Sequence, residues 1–210
     1  MDLNEMRALV RSDLHDGDSG EYRWTDDEID RHIAHAVTEL SEYLPYQLKA
    51  TQATVPGSRD IDISGLTGRV MIEAVEYPIE QFPARFQPFS LWGDNITLLG
   101  DEVPNGSDVY IYYGKLHTAD ENGSTVPQQY EELVITGACG HAAVEWGIYA
   151  VNRVNVGGSE VPAELMEWGC AKLKIFRQEI KRLGRKNRVK RGSLFTSTLP
   201  AVSKSTDFGP

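Results

Sequence analysis

A chain of 210 residues and 23.4 kDa, 40% hydrophobic and 25% charged, has the composition of a folded protein, which excludes wholesale disorder. Its net charge of −10 hides a gradient: residues 1–170 carry 10 Lys/Arg against 29 Asp/Glu, a balance of −19, whereas residues 171–191 carry 10 basic residues and the single acid Glu179, a balance of +9. An acidic body with one basic end excludes a general nucleic-acid binder, which needs a broad basic face, and suits assembly through unlike surfaces.

Leu3, Met6, Leu9, Val10 and Leu14 share one face at helical spacing and predict a first helix over about residues 3–14. Residues 15–23 are polar and contain glycine, which reads as a loop. A second helix opens at Trp24-Thr25-Asp26-Asp27-Glu28. Thr25 caps the free N–H groups, Glu28 completes a capping box, Trp24 staples against Ile29, and Asp26 and Asp27 suit the positive end of the dipole. Ile29, Ile33, Ala36, Val37 and Leu40 form its apolar stripe, and Pro45 stops it.

From about residue 47 to residue 116 the pattern changes to short β-type runs, predicting strands at 50–55, 70–77, 86–91, 95–99 and 109–113. Trp92-Gly93-Asp94-Asn95 is a tight-turn sequence joining two of them. In the last, Val109, Ile111 and Tyr113 face away from Tyr110 and Tyr112, so both faces are bulky. Pro83 and Pro88 confine their neighbours to an edge or a bulge.

Residues 118–125 read as a polar connection, and Pro127 sits at the first turn of a third helix reaching about residue 151. Gly137, Gly140 and Gly147 lie inside that helix among Ala138, Ala142 and Ala143. Each interior glycine costs up to ~1 kcal/mol relative to alanine, so close backbone packing against a neighbour is expected there. Pro162 starts a fourth helix to about residue 186, with Leu165, Trp168, Leu173, Phe176, Ile180 and Leu183 on its apolar face. The remainder is Ser/Thr-rich with spaced Leu194, Phe195, Leu199, Val202 and Phe208. We read an α+β fold. A four-helix part joins an N-terminal pair (1–46) to a C-terminal pair (118–187), with a small antiparallel β-module inserted between them (47–117) and an extended C-terminal tail (188–210).

Catalytic constellations are missing from the sequence. It has no Gly-x-x-x-x-Gly-Lys phosphate loop, no Rossmann glycine pattern, no Gly-x-Ser-x-Gly elbow and no His-Glu-x-x-His. Cys139 and His141 stand two apart on a helix, so their side chains diverge by roughly 200°; Cys139 reads as a packing residue and His141 as a structural one. His32 and His35, at i and i+3 with Asp27 and Asp30 nearby, would put two imidazoles on one face, but we read them as a solvated helix surface rather than a metal site. Asp60-x-Asp62 and Asp101-Glu102 lack the calcium-loop pattern and read as strand-end charges. No enzymatic activity, cofactor or metal is therefore expected. The first two helices are not a DNA-reading pair: their connection is long and acidic, and the second begins Asp26-Asp27-Glu28, where donors toward phosphate and bases belong.

With only Cys139 and Cys170, neither a disulfide scaffold nor a four-cysteine zinc site is possible. The longest apolar stretch, 133–151, is interrupted by His141, Glu145 and three glycines, too polar for a membrane span. The amphipathic start is unlike a secretory signal, so a reducing cytoplasm is the expected place of synthesis. The cations of residues 172–191 exceed what a helix C-terminus needs and read as a docking segment, through Arg185, Lys186, Arg188, Lys190 and Arg191. Leu194, Phe195, Leu199 and Phe208 read as anchors that order on a partner.

The order of these parts resembles the head–tail adaptor (connector, or head-completion) proteins of tailed bacteriophages. The likeness rests on Trp24-Thr25-Asp26-Asp27-Glu28-Ile29-Asp30 after a short amphipathic helix, and on a β-insertion ending Val109-Tyr110-Ile111-Tyr112-Tyr113. It continues through Thr125-Val126-Pro127 into Leu133-Val134-Ile135-Thr136-Gly137-Ala138 and the small-residue helix, covering roughly residues 1–185. The resemblance implies a virion protein made in the host cytoplasm and located in the neck between capsid and tail. It implies a homo-oligomeric ring, a dodecamer, beneath the portal protein, docking the next neck or tail component. Genomic DNA would pass through its channel without being read, and no membrane is involved. The alternative is a DNA-associated packaging or other tail-completion factor using residues 172–191.

Overall fold

The computed structural model describes residues 1–18, 20–150 and 161–192. Four helices and small antiparallel sheets make an α+β fold. Helix α1 (Leu3–Asp13) begins at an Asp2 N-cap that forms a capping box with Glu5, a signal the sequence reading passed over. Helix α2 (Asp26–Tyr43) starts as expected: Glu28 N–H donates to Thr25 Oγ1 (3.3 Å) and Thr25 N–H donates to Glu28 Oε2 (2.8 Å). Leu44 N–H still bonds the Leu40 carbonyl; Pro45, with no N–H to offer, ends the ladder.

Residues 15–25 connect these helices around a buried charge pair. Arg11 donates from Nη1 to Asp16 Oδ2 (2.6 Å) and from Nη2 to the Trp24 carbonyl (2.9 Å) and Asp26 Oδ1 (2.7 Å). Asp16 accepts in turn from the Arg23 N–H (2.7 Å). The polar loop is thus tied down by Asp16, which is buried along with Arg11.

The chain passes from α2 straight into β1 (Tyr46–Ala53), which starts four residues earlier than expected and ends before residue 55. The cause is its partner: β6 (Asp108–Lys115) pairs with all eight residues of β1, from Tyr46↔Lys115 to Ala53↔Asp108, and a ladder outweighs local propensity. Strand β3 (Arg69–Glu76) lies on the other side of β6, giving the order β1-β6-β3. A second sheet has the order β2-β5-β4, from β2 (Asp60–Asp62), β4 (Phe89–Trp92) and β5 (Asn95–Leu98). Gly93 and Asp94 make the expected tight turn between β4 and β5, with Trp92 paired to Asn95 and Gly93 at φ +58°.

Strand β2 escaped the sequence reading because its two aspartates flank a single apolar residue; Ile61 points into the core while Asp60 accepts from the Thr97 hydroxyl. The strand expected at 86–91 begins only at Phe89, after Pro88. Ile61, Ile63, Val75, Tyr77, Ile96, Leu98, Val109 and Ile111 form one apolar core between the two sheets. A short hairpin, β7 (Ala119–Asp120) with β8 (Gly123–Ser124), occupies the connection read as irregular.

Helices α3 (Gln128–Ala150) and α4 (Val161–Gly192) complete the helical part. Its separate core includes Met6, Val10, Ile29, Ile33, Leu40, Val134, Ile135, Phe176 and Ile180. The small residues of α3 serve close contact. A Cβ on Gly140 would lie 2.8 Å from Leu173 Cγ and 3.1 Å from the Gly169 carbonyl oxygen. A Cβ on Gly169 would lie 3.0 Å from the Gly140 carbonyl oxygen, so the two glycines face each other across the seam. Gly137 meets Ala36 and the Phe176 ring, and Gly147 meets Met166 and the Pro162 carbonyl.

Helix α4 does not stop near residue 186 but runs to Gly192, so residues 188–192, assigned from sequence to an extended tail, are helical. Nothing after Gly184 interrupts it: residues 185–191 are mostly Arg and Lys, good helix formers, and no proline follows before residue 192.

Candidate functional site

The exposed side of α4 carries the charge on which the sequence reading rests. Among the described residues three cations of the basic run are matched by acids, two of those acids on the body and one on α4 itself. Lys172 Nζ lies 3.7 Å from Asp13 Oδ2. Arg177 grips Glu39, donating from Nε to Oε2 (2.9 Å) and from Nη2 to Oε1 (3.0 Å), and Arg182 pairs with Glu179 one turn back (2.8 Å). Lys174, Lys181, Arg185 and Lys186 are exposed and make no ion pair among the described residues. The basic run is thus not uniform: its first half partly closes the helical core, and its free cations gather toward the end. Leu183 and Gly184 pack on the bundle, Gly184 against Tyr43, and Arg185 and Lys186 follow on the surface. Arg188, Lys190 and Arg191 continue the same helix, but their side chains lie outside the described residues, as do Leu194, Phe195, Leu199 and Phe208.

The face of α2 that meets α3 and α4 holds a second polar cluster, which the sequence did not bring together. His35 and Glu39 are one turn apart on α2, and His141 reaches them from α3. The His35 and His141 rings stack at 4.2 Å with 16° between planes, and their Nε2 atoms lie 3.7 Å and 2.9 Å from Glu39 Oε1. Arg177 holds the Glu39 carboxyl below the usual range. Burial, with the adjoining His35, pushes the His141 pKa down. His141, read as structural with no partner in view, therefore has Glu39, His35 and Arg177 around it. Only the i, i+4 spacing of His35 and Glu39 was legible in advance.

His32 overturns the reading of a solvated pair. It is 4% exposed, turned into the α2–α3 interface, while His35, stacked on His141 at the rim, is 58% exposed by side chain. Their i, i+3 spacing puts them on neighbouring strips of the helix, and the core takes one of them. Burial pushes the His32 pKa down to about 4, against a partial counter-pull from Glu145, whose Oε2 lies 3.5 Å from Nε2 outside hydrogen-bonding geometry. A histidine held neutral in the fold and protonated when unfolded contributes stability above its unfolded pKa of about 6.5 and loses it as pH falls toward 4. Stability should therefore decline by about 2 kcal/mol from this group between pH 7 and pH 4.5. Urea unfolding across that range should show a slope smaller by up to one proton in His32→Leu than in the parent; equal slopes would remove His32 from the account.

His117 is buried at the junction of the sheets and helices. Its Nε2 faces the Leu44 carbonyl (3.0 Å), which can only accept, so Nε2 donates and Nδ1 accepts from the Thr125 hydroxyl (3.1 Å). With its own N–H on the Ser41 hydroxyl (2.9 Å), it fastens the end of β6 to the end of α2. Cys139 is fully buried, and burial pushes its thiol up to about 12, far from nucleophilic reactivity. Beside Leu44, Pro45, Tyr46, His117, Leu183 and Lys186 lies an open cleft of about 510 Å³, and it contains no acid–base pair.

Comparison of the chain with protein-family models and with curated proteins gave no match. Among the described residues no helix is long and apolar enough to cross a membrane.

Proposed function

We propose that this chain is a structural, non-enzymatic virion protein: a head–tail adaptor that assembles as a ring beneath the portal, extends the DNA channel and docks the tail. The observation that carries the reading is the division of charge along α4. Lys172, Arg177 and Arg182 are matched by acids, whereas Lys174, Lys181, Arg185 and Lys186 have no matching acid among the described residues, on a body with a balance of −19 over residues 1–170. A ring is built from heterologous contacts, one face of a subunit meeting a different face of the next. Unlike charges on two faces of one chain give such contacts their direction. Exposed Ile175, next to Lys174 on α4, offers apolar contact beside that charge.

In this reading the partners are further copies of the chain, the portal protein and the next neck or tail protein. An acidic channel wall does not bind phosphate, so genomic DNA slides past it. The long backbone-close contact of α3 with α4 supplies a stiff strut for the ring. The residues assigned to the docking contact are Arg185, Lys186, Arg188, Lys190 and Arg191, with Leu194, Phe195, Leu199 and Phe208 beyond the described residues.

Replacing those five cations by glutamine tests the charge. Purified protein, parent and variant, is mixed with portal-bearing particles that lack it, and bound copies are counted at low and high salt. The variant should bind at least about tenfold more weakly at low salt, and the parent should weaken as salt rises. Equal occupancy in all four arms would contradict the charge-based contact. Tight, salt-steep binding of the free chain to bare duplex DNA would favour the packaging-factor alternative instead.

A further inference from the structure

We propose that His35, Glu39 and His141 form a binding site for one late first-row divalent cation, such as Zn2+, Ni2+ or Co2+, bridging α2 and α3. Each residue offers one ligand atom, and the three atoms lie within 4.8 Å of one another. Two imidazoles and one carboxylate are a donor set these metals favour, leaving a fourth position for water. A tetrahedral site with bonds of about 2.0–2.1 Å needs ligand atoms about 3.4 Å apart, so the contraction required is small.

Two further observations point to a ligand. His141 is nine-tenths buried, and its Nε2 has no hydrogen-bond partner. It sits 2.9 Å from Glu39 Oε1 without hydrogen-bond geometry, so a buried ring nitrogen is aimed into the cluster without a hydrogen-bond partner among the described residues. Glu39, in turn, is already oriented from outside. Arg177 donates to both oxygens and holds the carboxylate plane, and Oε1 is the oxygen both histidines approach.

The two rings are stacked, with 16° between their planes and 4.2 Å between their centres, so one ring must turn for both to reach a single ion. His35 is the exposed one and is free to do so. Arg177 Nη2, 3.0 Å from Oε1, competes for the same oxygen. The cation would displace that arm and release part of a positive charge on α4. Bound, the ion clips two helices that pack face to face, and it stabilises the folded state by mass action.

The test uses the full chain stripped with chelator and titrated with Co2+, followed by visible absorption, with Zn2+ added afterwards as competitor. One equivalent of Co2+ should give the intense absorption of a four-coordinate site, and Zn2+ should abolish it. His35→Ala and Glu39→Gln should each weaken Co2+ binding at least tenfold, whereas His15→Ala, on an exposed loop residue, should leave it unchanged. His35 is mostly solvent-exposed, so its variant should unfold at the parental temperature without metal. With Zn2+ at about 100 times its dissociation constant, the unfolding temperature of the parent should rise by about 5–10 °C and that of His35→Ala should not. Absorption that fails to appear at millimolar Co2+, or that is retained in the His35→Ala/His141→Ala double variant, would overturn the proposal.

Discussion

Replacing Gly169 with leucine is expected to destabilise the protein by about 3 kcal/mol, at the upper end of the range for overpacking a tight contact. A Cβ there would sit 2.9 Å from Ala143 Cβ, 3.0 Å from Val144 Cγ2 and 3.0 Å from the Gly140 carbonyl oxygen. A flexible side chain can move aside, but a carbonyl in a helix ladder cannot. The remaining leucine atoms would have to force α3 and α4 apart along their whole contact. Removing a glycine from a helix interior would by itself favour folding by up to ~1 kcal/mol, so the clash must exceed that gain to be seen. Gly17→Ala, where nothing lies within 4 Å, is the control and should stay within about 0.5 kcal/mol of the parent. The urea midpoint of unfolding measures both; a parental midpoint for Gly169→Leu would mean the two helices do not approach as described.

Asp16→Ala should cost about 3–5 kcal/mol, the range for removing one member of a buried ion pair. The substitution leaves the Arg11 guanidinium, 8% exposed by side chain, with one strong acceptor fewer, and it orphans the Arg23 N–H. Arg11→Met combined with Asp16→Ala should recover a substantial part of the loss, because the damage comes from leaving the buried Arg11 charge with the more exposed Asp26 as its remaining counter-charge, more than from a lost attraction. Thermal unfolding of the two variants separates these contributions. A double variant no more stable than the single one would mean the pair acts through shape rather than charge.

Helices were legible where local signals and burial agree. Thr25 and Glu28 fix the start of α2 by a bond pattern only three residues long, and Pro45 fixes its end by chemistry of its own backbone. The glycines of α3 announced a close neighbour, yet they could not name it: Gly169 on α4 is the partner of Gly140, and only the packing relates the two. Strand limits were less legible. Tyr46 to Lys49 alternate apolar and polar over only four residues directly after a helix and become strand where β6 offers them a ladder, and β2 carries one inward side chain between two acids. The polar clusters were least legible. His35 and His141 stand 106 positions apart in sequence and touch only because α2 packs on α3, and His32 was lost to the core by the same contact. The charge of α4 could be counted in advance, but which cations the body neutralises depended on where Asp13 and Glu39 fall.

In the proposed role the basic end of α4 assembles onto another chain. Imaging the neck of particles that contain this protein tests it most directly. The image should show a ring of copies under the portal, with Arg185, Lys186 and the chain beyond Gly192 lying against a neighbouring subunit or the portal. A neck without this chain, or one in which those residues touch only their own subunit, would contradict it.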